Sequence, residues 1–398
     1  MTTALRDEDY DALAPETFDS PYALYADLRG RCPVAYSRAW NGFWSVLRYA
    51  DVAAILADPN YVTSVQNVVP KLAFTGRRPP LHLDPPEHTP YRNALNPLMR
   101  PERVAALEGP TRAFAAELLA PMVAKGGGDI CAEFSSHLPV RVFGAWMNLP
   151  QAQLDVLHDA GRAFNIAVQA FDDEAVKATS LALYDMARAL IAERKARPLD
   201  PKTDPTSALL AARYRGEALP DEMIVGTVRQ VLVVGIIAPT VLIGSICVHL
   251  SRHPDLQARL RAEPELMGDA VEEFLRLYTP YRGFARTAKT DVEIAGRKIA
   301  KDEPIALVYA SANRDEAVFE RADEFILNRP NIRDHLAFGR GPHQCLGMPL
   351  ARLELKVALE ELLARTPGGF ELAGEIRPTR CPEIGALSVP LRFLDPAA

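Results

Sequence analysis

Cys345 is the residue whose position best suits chemistry. It lies near the end of the irregular segment Phe338-Gly-Arg-Gly-Pro-His-Gln-Cys-Leu-Gly347, just before a predicted helix that begins at Met348. Backbone donors and the positive end of a helix dipole favour the thiolate form at such a junction. Because only the thiolate acts as a nucleophile or metal ligand, the position predicts a cysteine that takes part in chemistry.

The other cysteines are widely separated and form no CxxC pair, so neither a disulfide framework nor a zinc ribbon is indicated. We expect them to be small buried residues in a reducing compartment. They are Cys32, Cys131, Cys247 and Cys381.

The pattern FxxGxxxCxG around Cys345 is expected by chance in roughly one sequence of this composition in a thousand. It resembles the haem-binding loop of the cytochromes P450. The resemblance implies that the Cys345 thiolate is the proximal ligand of the iron of haem b, in a loop that includes Phe338 and Gly347. In that family the thiolate donates electron density that favours O–O bond cleavage.

Two further segments match motifs of the same family. Glu273-Phe-Leu-Arg276 matches ExxR, and Phe325-Ile-Leu-Asn-Arg329-Pro matches the segment that supplies a second arginine. A glutamate and an arginine three residues apart on a helix are more often a solvated ion pair. The resemblance implies instead a structural network of Glu273, Arg276 and Arg329 that braces the haem loop.

The segment His88-Thr-Pro-Tyr-Arg92 matches the HxxxR pattern of bacterial members. Residues four apart share one helix face, so both side chains could donate to one anion. Without the other motifs, an exposed surface pair would be the simpler interpretation. The resemblance implies four donors to the haem propionates, namely His88, Arg92, Arg286 and His343. Arginine suits this role because its guanidinium pairs bidentately with a carboxylate.

The family's central helix usually carries a glycine, then an acid and an alcohol that help to deliver protons. Setting Gly235 on that glycine places Ile237 at the acid position and Ala238 at the alcohol position. Pro239 lacks a backbone N–H and should kink the helix, which frees a carbonyl near Gly235. Thr240, about 200° round the helix from Ala238, should face away unless the kink redirects it.

We therefore assign Gly235, Ala238 and Thr240 to an oxygen-activation segment that lacks the customary acid and alcohol. Proton delivery could then use ordered water, a substrate hydroxyl or the carbonyl that Pro239 frees. Peroxide-driven turnover is a further alternative.

The family's substrate pocket lies between the loop before His88, the central helix, the segment after Arg276 and a late turn. The residues at these places are mostly apolar, which suits a small or medium hydrophobic substrate of aromatic or terpenoid type. The predicted pocket residues are Leu72, Phe74, Val231, Val234, Tyr281, Phe284 and Ile384, with Phe164 and Phe171 as roof residues. Each could equally be core packing. Arg77, Arg78 or Arg282 could anchor a substrate carboxylate, although arginines near loops are usually solvated.

Helices must position most of these residues. Apolar residues recur at three and four positions over 175–197, 254–278 and 349–365, whereas strand signals are short and clustered. The sequence predicts a mainly α fold with small β-sheets, of α+β class. The resemblance implies one large helical lobe and a smaller β-rich lobe, in a single domain over residues 1–398.

Composition excludes some classes of function. The formal net charge of −6 argues against a chain that coats nucleic acid or an anionic membrane. Residues 230–248 carry no formal charge and are nearly long enough to span a bilayer. Their internal glycine, proline and serine residues favour a buried central helix instead. The N-terminus lacks the features of a secretory signal, which indicates a cytoplasmic protein.

The resemblance implies a haem-thiolate monooxygenase that inserts one atom of O₂ into a substrate by hydroxylation or O-dealkylation. Since the sequence holds no flavin or iron–sulfur domain, we expect electrons from NAD(P)H to arrive through a separate ferredoxin reductase and ferredoxin. An acidic ferredoxin would be steered by a basic face around the cysteine. That face comprises Arg100, Arg103, Arg340, Arg352 and Lys356.

Two alternatives come from different classes of function. One is a haem protein that uses peroxide or binds ligand without catalysis, which the absence of the acid and the alcohol motivates. The other is a haem-free enzyme with Cys345 as nucleophile and His343 as its base.

Overall fold

The computed structural model of the protein describes residues 7–395, apart from Glu16, Phe18, Asp19 and Phe74. Helices dominate the described residues, as the apolar periodicity predicts. In chain order they are α1 (Tyr22–Arg31), α2 (Tyr49–Ala57), α3 (Thr89–Leu95), α4 (Pro101–Ala105), α5 (Glu108–Ala124), α6 (Leu138–Trp146), α7 (Leu154–Gln169), α8 (Asp173–Ala196), α9 (Pro205–Ala211), α10 (Asp221–Arg252), α11 (Pro254–Ala262), α12 (Met267–Leu277), α13 (Tyr309–Ala312) and α14 (Met348–Arg365).

The strands are short and belong to small sheets. They are β1 (Val34–Ser37), β2 (Phe43–Val46), β3 (Tyr61–Val62), β4 (Gly127–Asp129), β5 (Arg213–Tyr214), β6 (Glu217–Ala218), β7 (Phe284–Ala288), β8 (Val292–Ile294), β9 (Arg297–Ile299), β10 (Ile305–Leu307), β11 (Phe370–Leu372), β12 (Arg377–Pro378), β13 (Ala386–Ser388) and β14 (Pro390–Phe393). The largest sheet has the order β1-β2-β10-β7-β3, with β10 parallel to β2 and antiparallel to β7.

Separate hydrophobic cores define the two lobes. The larger core joins side chains from helices between α3 and α14. A smaller core packs α2 beneath the largest sheet, where Ile55 and Leu56 meet Trp44 and Ile305. This arrangement confirms the predicted fold class, mainly α with small β-sheets.

Helix α10 runs through the larger core and is buried along most of its length. Length and composition alone would allow it to span a membrane, but 72% of its most apolar stretch is buried inside the protein. A helix that is hydrophobic all round is expected in the core of a large lobe. The backbone stays helical through Pro239, so the predicted kink does not break the helix.

The helix predicted over 254–278 is in fact two helices. α11 ends at Ala262, and a 3-10 turn over Pro264–Leu266 separates it from α12. Pro264 causes the break because it has no backbone N–H and keeps Glu263 before it out of the helical region, at φ −125° and ψ 68°.

A buried carboxylate connects α12 to the long irregular segment that leads to Cys345. Both oxygens of Glu273 accept hydrogen bonds from Arg276, at 2.8 Å each, and Arg329 donates to the same carboxylate at 3.1 Å. The remaining N–H groups of the two arginines donate to backbone carbonyls, such as that of Asn313. The side-chain Oδ1 atom of Asn313 accepts from the backbone N–H of Leu336. The three predicted network residues therefore meet, and they fix the backbone that precedes the cysteine loop.

Glu354 is a second buried carboxylate, but it has no such partner. It lies on α14 with 3% of its surface exposed, and its Oε1 atom finds no hydrogen-bond partner among the described residues. Burial raises the pKa of Glu354 from an ordinary 4.5 to about 8. The contribution of Glu354 to the free energy of unfolding is therefore fully present below pH 4.5, where the carboxyl group stays protonated. It is lost as the pH rises towards 8.

We expect Glu354→Gln to raise the melting temperature at pH 8.5 by about 3 °C or more, because the amide removes an ionisable group from the core. At pH 4.5 the variant and the wild type should melt within about 1 °C of each other. Thermal unfolding at both pH values tests this, with exposed Glu102→Gln as the matched control. Parallel melting curves for Glu354→Gln and wild type at both pH values would contradict it.

Candidate functional site

The cysteine loop is closed by its own backbone. The N–H of Cys345 donates to the carbonyl of Phe338 at 2.8 Å, and the N–H of Gly339 donates to Leu336 at 2.9 Å. Gly339 and Gly341 have φ of +64° and +73°, a backbone region that residues other than glycine rarely adopt. At Gly341 a Cβ atom would also collide with the carbonyl of Leu56 on α2. The glycines of the motif are therefore required by the geometry of the loop.

Cys345 is exposed although its thiol is surrounded by protein, as expected of a residue that lines an internal cleft. Burial raises the pKa of Cys345, and the backbone N–H groups of Gly347 and Met348 and the Arg92 guanidinium act against this rise. The helix N-terminus thus favours the thiolate as expected, but burial outweighs it in the free thiol. A bound metal cation would replace the proton.

Glu272 is a bracing residue that the sequence analysis missed. Its carboxylate accepts two hydrogen bonds from Arg352 of α14, at 2.5 and 2.8 Å, and pairs with His335 at 3.1 Å. The Arg352 guanidinium also lies 5.0 Å from the ring centroid of Phe338. Glu272 therefore ties α12 to both flanks of the cysteine loop. The sequence signal for this role was a second glutamate directly before the ExxR motif, on the same predicted helix.

The four predicted anion donors form one cluster next to the loop. His88 and His343 lie with ring centroids 4.7 Å apart, and Arg92 donates to the carbonyl of Gln344 at 2.9 Å. His343 is close enough to Arg286 and Arg92 for their charges to lower its pKa, an effect smaller than that of burial. Burial lowers the pKa of His88 to about 4, and its Nε2 atom has no hydrogen-bond partner among the described residues.

Asp84 is the carboxylate that this cluster contains. It accepts from His343 at 3.4 Å and from the backbone N–H groups of Thr63 and Ser64. Burial opposes ionisation of Asp84, but these donors hold its pKa below the usual range. Both histidines are uncharged at neutral pH because the pKa of each is lowered, so the two arginines against one carboxylate leave a net positive charge.

Haem would fit these residues. A thiol at an internal cleft supplies an iron ligand, and the excess cations with the unpartnered nitrogen of His88 suit the two propionates. His343 pairs with Asp84 and Thr63, and it is not among the principal groups that shift the pKa of Cys345. Nothing in this arrangement supports His343 as a base for a cysteine nucleophile.

One face of α10 is partly exposed inside the larger lobe, which indicates a cleft there. Val231, Val234 and Ala238 recur at three and four residues on this face; Val234 is 45% exposed and Ala238 is half-buried, whereas Val231 is 7% exposed. The Thr240 hydroxyl donates to the carbonyls of Ser135 and Ile236, at 2.7 and 2.8 Å, on the opposite side. Gly235 packs under the ring of Phe143, where a Cβ atom would lie 2.5 Å from the ring.

The remaining predicted pocket residues divide into groups. Tyr281 and Phe284 are half-buried, with ring centroids 5.1 Å apart, and a charge on Cys345 would influence the hydroxyl of Tyr281. Leu72 packs against the larger core. Ile384 packs with Tyr25 in a further small core, which is separate from the larger and smaller cores described above. Phe74 lies outside the described residues.

The predicted basic face for a ferredoxin is weaker than its sequence suggests. Arg352 is neutralised by Glu272, and Lys356 lies 3.7 Å from Glu360. Arg340 donates to the hydroxyl of Tyr49 at 3.2 Å. Arg100 and Arg103 are exposed. The partners of Arg352 and Arg340 are distant along the chain, so sequence alone cannot show those two pairings, whereas Lys356 and Glu360 are only four residues apart.

Similarity to known proteins agrees with this site. The family model described as Cytochrome P450 matches residues 163–366. The chain is 35% identical over 357 residues to the mycinamicin IV hydroxylase/epoxidase of Micromonospora griseorubida, covering 86% of this chain and 87% of that protein. It is 34% identical to cytochrome P450-SU2 of Streptomyces griseolus, over 92% of this chain and 93% of that one. The solved structure of the bacillaene polyketide synthase cytochrome P450 PksS of Bacillus subtilis matches with a TM-score of 0.87 and 28% identity, over 96% and 99% of the two chains.

We expect Glu272→Gln to lower the free energy of unfolding by about 3 kcal/mol, because it leaves Arg352 and His335 without their buried anion. In the wild type, His335 and Arg352 outweigh burial and lower the pKa of Glu272 from 4.5 to about 2. The stability from this group is therefore present above pH 4.5 and is lost as the pH falls towards 2. Urea unfolding at pH 7 measures the loss, with exposed Glu265→Gln as the control. Equal unfolding midpoints for the two variants would show that Glu272 does not brace the loop.

Proposed function

Since the chain belongs to the cytochrome P450 family of monooxygenases, we propose that it transfers one atom of O₂ to a small or medium hydrophobic substrate, by hydroxylation or O-dealkylation. The relatives include a hydroxylase/epoxidase and a 23-monooxygenase. The apolar face of Val231, Val234 and Ala238 supports a hydrophobic substrate. The Cys345 thiol on an internal cleft beside a cationic cluster is the observation that carries the proposal. The family alignments also support one P450 domain over residues 1–398.

We assign Cys345 as the ligand of haem iron, and His88, Arg92, Arg286 and His343 as partners of the propionates. Bound haem supplies the capacity to activate O₂. The protein holds the thiol at a fixed point through the loop hydrogen bond from Cys345 to Phe338. Arg286 is 5% exposed and sits beside the Tyr309 hydroxyl, so its guanidinium is fixed in place before an anion binds.

Proton delivery would rely on backbone and water. Ala238 and Ile237 stand at the positions of the customary alcohol and acid, and neither carries a polar group. Pro239 has no N–H to donate to the carbonyl of Gly235, four residues earlier. That carbonyl can therefore hold a water molecule next to the cleft-facing residues of α10.

We propose that electrons from NAD(P)H reach the protein through a ferredoxin reductase and a ferredoxin in the bacterial cytoplasm. The exposed Arg100 and Arg103 are the best candidates for contact with an acidic ferredoxin, because Arg352 is already paired with Glu272. Peroxide-driven turnover is the second candidate, which the apolar residues Ile237 and Ala238 favour.

Replacing the ligand tests the proposal directly. Cys345→Ala should abolish the thiolate Soret band of the reduced carbon monoxide complex, because the other cysteines described here do not border the cleft. Cys32→Ala is the matched control and should keep the band. A normal thiolate band in Cys345→Ala would refute the assignment, and its absence from the wild type would refute the function.

Thr240→Ala should change the yield of product per NADH by less than about twofold, because its hydroxyl is bonded to Ser135 and Ile236 away from the cleft. The yield is measured at fixed reductase and ferredoxin, and again with hydrogen peroxide alone. A loss of tenfold or more with NADH, at unchanged haem content, would mean about 1.4 kcal/mol of transition-state stabilisation from this hydroxyl. Such a loss would contradict the proposed proton route, and activity only with peroxide would favour the second candidate.

A further inference from the structure

A buried arginine interrupts the apolar sequence of α10. Arg229 is the one formal charge between Glu222 and Arg252, and its side chain is 1% exposed. Its Nη2 atom donates to the hydroxyl of Ser180 at 2.9 Å, and its guanidinium lies 4.7 Å from the ring centroid of Phe164. The Nε and Nη1 atoms have no hydrogen-bond partner among the described residues.

Further basic groups face Arg229 from the loop before α3. Arg78 and His82 are half-buried, and Nη2 of Arg78 lies 3.1 Å from Nε2 of His82. Burial, followed by the charges of Arg78 and Arg229, lowers the pKa of His82 to about 3. His82 is therefore neutral, and its Nε2 atom accepts from Arg78. Burial, followed by the charge of Arg78, likewise lowers the pKa of Arg229 to about 9.

The described residues provide this cluster with no carboxylate. Neither Arg78 nor Arg229 forms an ion pair with any acid in the described ranges, and Tyr184 is the group whose charge would favour both. The Tyr184 hydroxyl is itself buried without a partner there. An uncompensated buried cation costs several kcal/mol. Two such cations and an unpartnered hydroxyl therefore form a preorganised site for an anion.

The cluster lies between the loop before α3, α8 and the N-terminal half of α10. The loop crosses the N-terminal half of α10, because a Cβ atom at Gly226 would collide with the carbonyl of Arg77. Thr75 fixes the same loop to Ser180 of α8 through a 2.7 Å hydrogen bond. Val234 follows Arg229 on the same helix and is 45% exposed, whereas Val231 is 7% exposed.

We propose that Arg78 and Arg229 bind the carboxylate of the substrate, which is then a hydrophobic monocarboxylic acid. The proposal rests on the proposed function, since it names the class of molecule that enters the same cleft. A guanidinium matches a carboxylate in planar geometry, and Tyr184 offers a further donor. The apolar body of the acid would extend along α10 from Arg229 towards the exposed side chain of Val234. Of the three loop arginines considered from sequence, Arg78 faces the cluster, whereas Arg282 donates to the carbonyls of Thr17 and Glu383.

Matched ligands test the proposal on the haem-loaded enzyme. The probes are 4-methylbenzoate and 4-methylbenzamide, which differ in charge and little in shape. Titrations follow the Soret band and, independently, the melting temperature. We expect the acid to bind at least tenfold more tightly than the amide. We also expect Arg229→Met and Arg78→Met each to weaken binding of the acid at least tenfold and binding of the amide less than twofold.

Arg162→Met, at an exposed position of α7, is the matched control and should bind the acid as the wild type does. Without ligand, Arg229→Met should melt at a higher temperature than the wild type, because an unpaired buried charge is removed. If Arg229→Met does not fold, the loop variant Arg78→Met decides the question alone.

Equal affinities for acid and amide, or a variant that weakens both ligands alike, would overturn the proposal. Chloride and inorganic phosphate form a separate arm. If they raise the melting temperature as much as the acid does, and the acid leaves the Soret band unchanged, the cluster binds a free inorganic anion and the proposal is wrong. The carbon monoxide spectrum of the wild type is independent of these results, so failure of the proposed function would be recognised separately.

Discussion

The position of the reactive cysteine depends on one buried carboxylate. Glu273 holds Arg276 and Arg329, and the spare donors of these arginines hold the carbonyls of the segment that leads to Cys345. This segment has little regular secondary structure of its own, so helical or sheet hydrogen bonds cannot fix it. A satisfied buried network supplies that rigidity, because removing Glu273 would leave two buried arginines without their anion, and removing either arginine would leave buried carbonyls without their donor.

The adjacent residues Glu272 and Glu273 brace different segments of the chain. Glu273 points towards the irregular segment, and Glu272 reaches Arg352 on the helix after the cysteine and His335 before the loop. The cysteine loop is therefore held at both flanks from a single helix, α12. Its own backbone and two glycines of positive φ complete the structure.

Buried charges that lack a partner of opposite sign indicate binding sites, whereas satisfied charges indicate structural networks. In the Glu273 network every side-chain nitrogen of both arginines donates within the protein, whereas Arg229 has two nitrogen atoms without a partner among the described residues, and the cations around His88 exceed the one carboxylate beside them. Buried charge is costly, so an excess of one sign at an internal cleft indicates that a bound molecule supplies the other sign. The two clusters differ in position: one flanks the cysteine loop, and the other lies where Ser180 of α8 and Phe164 of α7 meet α10.

The sequence by itself determined the features encoded by local spacing: the cysteine loop, the ExxR pair, the helical character of the chain and the apolar residues Ile237 and Ala238 at the customary acid and alcohol positions. These follow from residues within a few positions of one another, where backbone geometry and motif chemistry act directly. Tertiary structure alone decided the pairing of Arg352 with Glu272, the packing of Ile384 in the small core and the meeting of Arg78 with Arg229. Each of these contacts joins residues far apart along the chain. Long-range packing decides whether a charge is paired, solvated or buried without a partner.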